Sequence, residues 1–253
     1  MSRTAAIAAI CEMLAGFSST AALAQSNIDV SDRKDLTARK AVYSILKDPS
    51  SEFSECLYRN KIKLFCHDYG YISFEKLVKT KHYDLIVISL PADGSGVRWW
   101  DWKLVVEDGK RATIKALADG CLECVIRVEK FKPYLNEVDF VYRQDKHRVS
   151  ARFRAGELST RKSKLDPHEP LAKEYCNFLY DGLARCKAKY TTPDPNISCS
   201  MAGGSQAGHF GVLRVENNYA GISIETLDQQ CRNACSTGKA MDRSTFFKQV
   251  CRR

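Results

Sequence analysis

Cys121 and Cys124, separated by two residues, are the one pair in this chain whose spacing suits a reversible thiol–disulfide step. Such a site places its first cysteine at a helix N-terminus after a strand, where the helix dipole lowers the thiol pKa. Here Val125-Ile126-Arg127-Val128 follows, which is a strand sequence. A structural bridge, or a crossing to Cys56 and Cys66, is therefore the expectation, with a thiol–disulfide protein as an alternative. A zinc site made of the same four thiolates has acceptable ligand types but is disfavoured in an oxidising compartment.

Hydrolytic signatures are weak. Glu137 and Asp139 share one face of an expected strand, a spacing that paired glycosidase carboxylates use, but acidic pairs are also ordinary surface features. Residues 203–208, Gly-Gly-Ser-Gln-Ala-Gly, lack the strand-turn-helix setting of a nucleophile elbow and read as a loop. Cys66 and His67 are adjacent, so on a strand they point to opposite faces. His67, His82, His147, His168 and His209 show no short metal-ligand spacing, and neither a metal nor a cofactor is expected.

Two features suit binding instead. All three tryptophans fall in Arg98-Trp99-Trp100-Asp101-Trp102-Lys103. Strand alternation puts Trp100 and Trp102 in the core with Leu104 and Val106, leaving Trp99 on the other face as a stacking or anchoring residue. In the second feature Arg148, Ser150, Arg152 and Arg154 share a strand face while Val149, Ala151 and Phe153 face inward. Arginines at alternate positions match phosphate or carboxylate groups along a polymer with forked hydrogen bonds, and the competing reading is a solvated sheet face.

These residues sit in a chain that reads as exported. Arg3 precedes an apolar run over 5–17, and Ala22-Leu23-Ala24 before Gln25 fits signal-peptidase cleavage, with Glu12 as a blemish, so residues 1–24 are expected to be removed. Of eleven cysteines, Cys11 lies in that leader, and the other ten are an even set suited to full pairing. The expected location is periplasmic or extracellular, with no transmembrane segment after cleavage. The formal charge of +9 favours an anionic polymer, a lipid headgroup or an acidic protein face as partner, and export makes nucleic acid less suitable.

The positioning elements follow from periodicity and turn residues. Leu36, Ala38, Val42, Ile45 and Leu46 are spaced as on a helix over 29–47, with Ser31 as its cap, and Ser73 caps a brief helix over 73–81. Segments 56–58 and 62–66 form a hairpin that sets Cys56 opposite Cys66. Residues 83–90 are a nearly continuous apolar run, as expected of a strand buried on both faces. Asp108-Gly109 and Asp119-Gly120 mark turns, and 138–143 pairs with 148–154.

Residues 156–170 read as a basic linker. Beyond it come a helix over 171–189, a loop to 208, a short β pair over 210–224, and two helices capped by Ser223 or Thr226 and by Asp242. Cys176 and Cys186, ten apart on one helix, lie about 15 Å apart and cannot bond each other. They must reach Cys199, Cys231, Cys235 or Cys251, and a bridge from Cys231 or Cys235 to Cys251 would staple the last two helices.

The fold class expected is α+β, an antiparallel meander over 28–155 with flanking helices, then a disulfide-stapled helical region over 171–253. The function expected is a non-catalytic binding protein for an anionic envelope component or protein partner, using Arg148, Arg152, Arg154 and Trp99. Its rival is a hydrolase of cell-envelope polymers with dispersed site residues.

Overall fold

The computed structural model describes residues 27–68, 70–92, 99–122, 124–192, 199–201, 215–216 and 218–252. The leader, the 203–208 loop and His209 lie outside these residues. The fold is α+β, with antiparallel sheets followed by helices.

Three sheets stack in layers. The central sheet has five strands in the order β1 (Asn27–Asp29), β6 (Ser73–Lys79), β7 (Asp84–Ala92), β8 (Trp99–Glu107) and β9 (Ala112–Leu122). A first outer sheet is the meander β2 (Asp35–Ala38), β3 (Ala41–Lys47), β4 (Glu55–Arg59) and β5 (Ile62–His67). A second is the meander β10 (Arg127–Lys132), β11 (Glu137–Gln144), β12 (His147–Arg154) and β13 (Glu157–Lys164).

Alternation along the central strands feeds two separate cores. Ile86, Ile88 and Val105 pack with Leu36, Tyr43, Ile45 and Leu57 of the first outer sheet. Leu85, Val87, Leu104 and Val106 pack with Val138, Phe140, Val149 and Phe153 of the second. The apolar run in β7 is thus buried on both faces, as its composition requires.

Three sequence expectations are corrected. Residues 29–47 are not a helix but the ends and strands of β1, β2 and β3. Leu36 and Ala38 alternate inward, a two-residue turn at Arg39-Lys40 resets the phase, and Ala41, Tyr43 and Ile45 alternate inward again. Arg39 holds a positive φ of 51° because its N–H donates to Asp84 Oδ2 and its guanidinium to the carbonyls of Thr80 and Lys81.

Residues 73–79 are likewise a strand, β6. A register shift between Phe74 and Lys76 puts Phe74 and Leu77 in the same core despite their spacing of three, which imitates a helical repeat. The third correction concerns the linker, since Glu157–Lys164 of the 156–170 segment is the edge strand β13, fully paired with β12.

The helical region contains α1 (Lys173–Thr191), α2 (Ile224–Thr237) and α3 (Arg243–Gln249). Ser223 caps α2 by accepting from Thr226 N, Gly238 ends it at φ 66°, and Asp242 caps α3 through Thr245 N. Among the described residues of 210–224 there is no strand, and 215–216 and 218 are helical.

Cysteines pair within each region. Cys56 bonds Cys66 across β4 and β5, and Cys121 bonds Cys124. Cys176 bonds Cys251, Cys186 bonds Cys231, and Cys199 bonds Cys235. The expected bridge from Cys231 or Cys235 to Cys251 is therefore replaced. Leu171 N donates to Cys251 O and draws the C-terminal segment to the start of α1, beside Cys176. No helix among the described residues is long and apolar enough to cross a membrane.

Candidate functional site

The residues expected to bind an anion do not come together. Arg148, Arg152 and Arg154 do lie exposed on the outer face of β12, with Val149, Ala151 and Phe153 in the core behind them. Two of the three already hold carboxylates. Arg152 Nε donates to Asp139 Oδ1 at 2.7 Å and its terminal nitrogen to Oδ2 at 3.0 Å, and Nε lies 3.7 Å from Glu137. Arg148 donates to Glu129. Arg154 has no ion pair among the described residues. Trp99 sits on the face of β8 opposite Trp100 and Trp102, and those two pack toward the second outer sheet. It therefore points away from the arginines, with the thickness of the stack between.

The same contacts dispose of the carboxylate pair. Glu137 and Asp139 both serve Arg152, and Asp139 is only 2% exposed. The arginine hydrogen bond holds the Asp139 carboxyl below the usual range, against the effect of burial, the opposite of what a general acid needs. Glu107, fully buried, is similarly committed. Burial raises its carboxyl, but Arg59, Tyr43 and the Gly109 N–H outweigh this and leave it lowered. This group ties the first outer sheet to the central one.

The ten described cysteines are all paired as disulfides. Cys121, near the end of β9, and Cys124, just beyond it, are buried in the core between the central and second outer sheets, with no helix N-terminus at either. Cys56 and Cys66 lie in the first outer sheet, so the four sulfurs expected as an alternative zinc set do not meet. Cys186, Cys231 and Cys235 bring their sulfurs within 4.8 Å of one another, but all three are oxidised. His67 lies against the Pro91 carbonyl and His147 against that of Asp145. The cleft lined by Glu169, Leu171, Tyr219, Ile222 and Arg252 is too tight to hold a small-molecule ligand.

A charged surface arises where no single segment announces it. Six hairpin turns converge at one end of the stack, because alternate turns of a meander fall at the same end. The Arg39-Lys40 turn reaches the β6–β7 turn through the two carbonyl contacts of Arg39. The Asn60-Lys61 turn joins it through the Asn60 N–H to Val42 O bond. The β8–β9 turn at 108–111 lies at the same end of the central sheet, since Asp84 pairs with Glu107. The β10–β11 turn is bound by Lys81 N to Pro133 O, and the β12–β13 turn by Ala155 N to Asn136 O.

An exposed cation stands in, or at the strand end immediately beside, each of these turns. These cations are Lys40, then Lys61, then Lys79 and Lys81, then Lys110 and Arg111, then Lys132, and finally Arg154. The acids there are largely occupied. Asp84 and Glu107 are buried, Glu157 faces Lys115 at 3.2 Å, and Asp108 receives the backbone N–H groups of Lys110 and Arg111. Connections at the opposite end carry both signs, with Asp48, Glu52, Asp68 and Asp145 beside Arg33, Lys34 and Lys146.

The helical region is attached at that opposite end. Arg143 donates to Glu169 and to Asn218 O and lies over the Tyr219 ring, and Lys146 approaches Glu216. Among the described residues, no helix covers the basic end. Sequence reasoning named only Arg154 of this set. The signal available was the parity of the turns, with basic residues gathered at one parity and mixed charges at the other. Comparison with known proteins finds no matching family model, no matching curated protein and no matching solved structure.

Proposed function

We propose that this protein is an exported, disulfide-stabilised binding protein whose basic turn face engages an anionic component of the cell envelope. The observation that carries this reading is that an exposed lysine or arginine stands in or immediately beside each of the six converging turns, while the acids among them are buried or already engaged. Five disulfides support an oxidising compartment. A ligand held by several unpaired surface cations is bound mainly by charge, so its affinity falls steeply with salt.

Heparin serves as a generic polyanion probe. The mature chain should bind it at low salt, and the triple variant Lys81→Glu, Lys110→Glu, Lys132→Glu should lose most of that affinity and flatten the salt dependence. Arg148→Ser should change little, since that arginine is already committed to Glu129. Binding that persists in molar salt, or is unaltered in the triple variant, would refute the proposal.

A further inference from the structure

We infer that the turn joining β10 to β11 is an apolar anchor that seats the basic turn face on an anionic lipid surface, an inference that rests on the binding reading above and names its partner. Tyr134 and Leu135 occupy a single turn of 3-10 helix, Pro133–Leu135, and are 65% and 59% exposed. Scattered exposed apolar residues are ordinary. This pair is distinguished by how firmly its backbone is held and by what surrounds it.

Asn136 closes the turn in the left-handed region at φ 52°, its N–H donating to Pro133 O. Its side-chain oxygen accepts from Thr80 Oγ1 at 3.1 Å and from His82 N at 2.8 Å. Lys81 N donates to Pro133 O, and Ala155 N to Asn136 O. The turn is thereby fastened to the β6–β7 and β12–β13 turns, which supply Lys81 and Arg154, while Lys132 immediately precedes it.

The result is a rigid phenol and isobutyl pair ringed by cations at the end of the molecule remote from the helices. That combination matches the layers of a membrane interface. Lysine and arginine meet lipid phosphates, a tyrosine ring suits headgroup depth, and a leucine reaches the acyl boundary. A soluble polyanion is satisfied by the cations alone and has no use for a fixed Tyr-Leu projection.

Cosedimentation of the mature chain with vesicles of phosphatidylcholine, with and without about 30% phosphatidylglycerol, tests this, with heparin binding measured in parallel. The wild type should bind the anionic vesicles and not the neutral ones. Tyr134→Ser with Leu135→Ser should weaken vesicle binding about tenfold, because the lost insertion removes apolar burial, while heparin binding is unchanged. Leu135→Trp should tighten vesicle binding. Phe53→Ser, which removes a side chain 68% exposed in the β3–β4 turn at the opposite end, should leave it unaltered.

Vesicle binding that is indifferent to Tyr134 and Leu135 while heparin is still bound would overturn the lipid anchor and leave the basic-face reading standing. Binding of neither heparin nor anionic vesicles at low salt would overturn both.

Discussion

The two regions of the molecule are held together by different means. The β stack closes its cysteines over short spans, 10 residues for Cys56–Cys66 and 3 for Cys121–Cys124, and rests on two apolar cores that share a central sheet. The helical region has one small core, and its bridges span 75, 45 and 36 residues. In the chain-entropy view a bridge acts by restricting the unfolded chain, more so for a longer loop. By that measure covalent closure contributes more to the helical region than to the β stack.

The largest expected break of this contrast is Cys176→Ser with Cys251→Ser. Opening a 75-residue loop should remove about 4.5 kcal/mol from the helical region. The helical circular dichroism signal should melt at lower temperature while the sheet transition stays in place. Loss of both together would mean that the two regions fold as one unit.

In the β stack the matching blow is electrostatic. Arg59→Met leaves the fully buried Glu107 carboxylate without its cation and should cost about 3 kcal/mol or more, read as a fall in the denaturant midpoint of the sheet transition. Unchanged stability would mean that the pair is dispensable to the joint between sheets.

Acid should act through the same joint. Glu107 and Asp139 have folded-state values held below their ordinary ones, so their contributions are present above the unfolded carboxyl range near pH 4 and are lost as pH falls through the lowered values. The thermal midpoint of the sheets should decline below about pH 4, and Glu107→Gln should make that decline shallower. An identical acid limb in the variant would assign the effect elsewhere.

The smallest expected effect belongs to the helices. Ser223→Ala removes the α2 cap and should cost about 1 kcal/mol, visible in the helical transition alone.

The parts legible in the sequence were those governed by local chemistry. The Asp108-Gly109 turn, the Cys56–Cys66 hairpin, the doubly buried β7, and the Ser223 and Asp242 caps each depend on neighbours within a few residues, whereas Asp119-Gly120, expected as a turn, lies inside β9 where its pairing with β8 shifts register. What could not be read depended on distant partners. The Arg39-Lys40 turn lacks turn residues and is held by Thr80, Lys81 and Asp84. The bulge in β6 turned a strand into an apparent helical repeat. The edge strand β13 has little apolar pattern, since Leu158 alone is shared with the core behind it.

The site divided in the same way. Alternation correctly exposed Arg148, Arg152 and Arg154, but their counter-ions on β10 and β11 come from other strands. Trp99 was correctly placed opposite Trp100, which is also why it cannot share a surface with those arginines.

The cations beside the six turns concentrate positive charge at the end of the stack remote from the helices. An object of that kind approaching a negatively charged plane experiences a torque before it experiences contact. Under the lipid-anchor proposal it arrives end-on, with the Tyr134 turn leading and the helices carried outward. Because these cations are exposed and lie outside both cores, the torque can be graded one charge at a time without disturbing the packing beneath them.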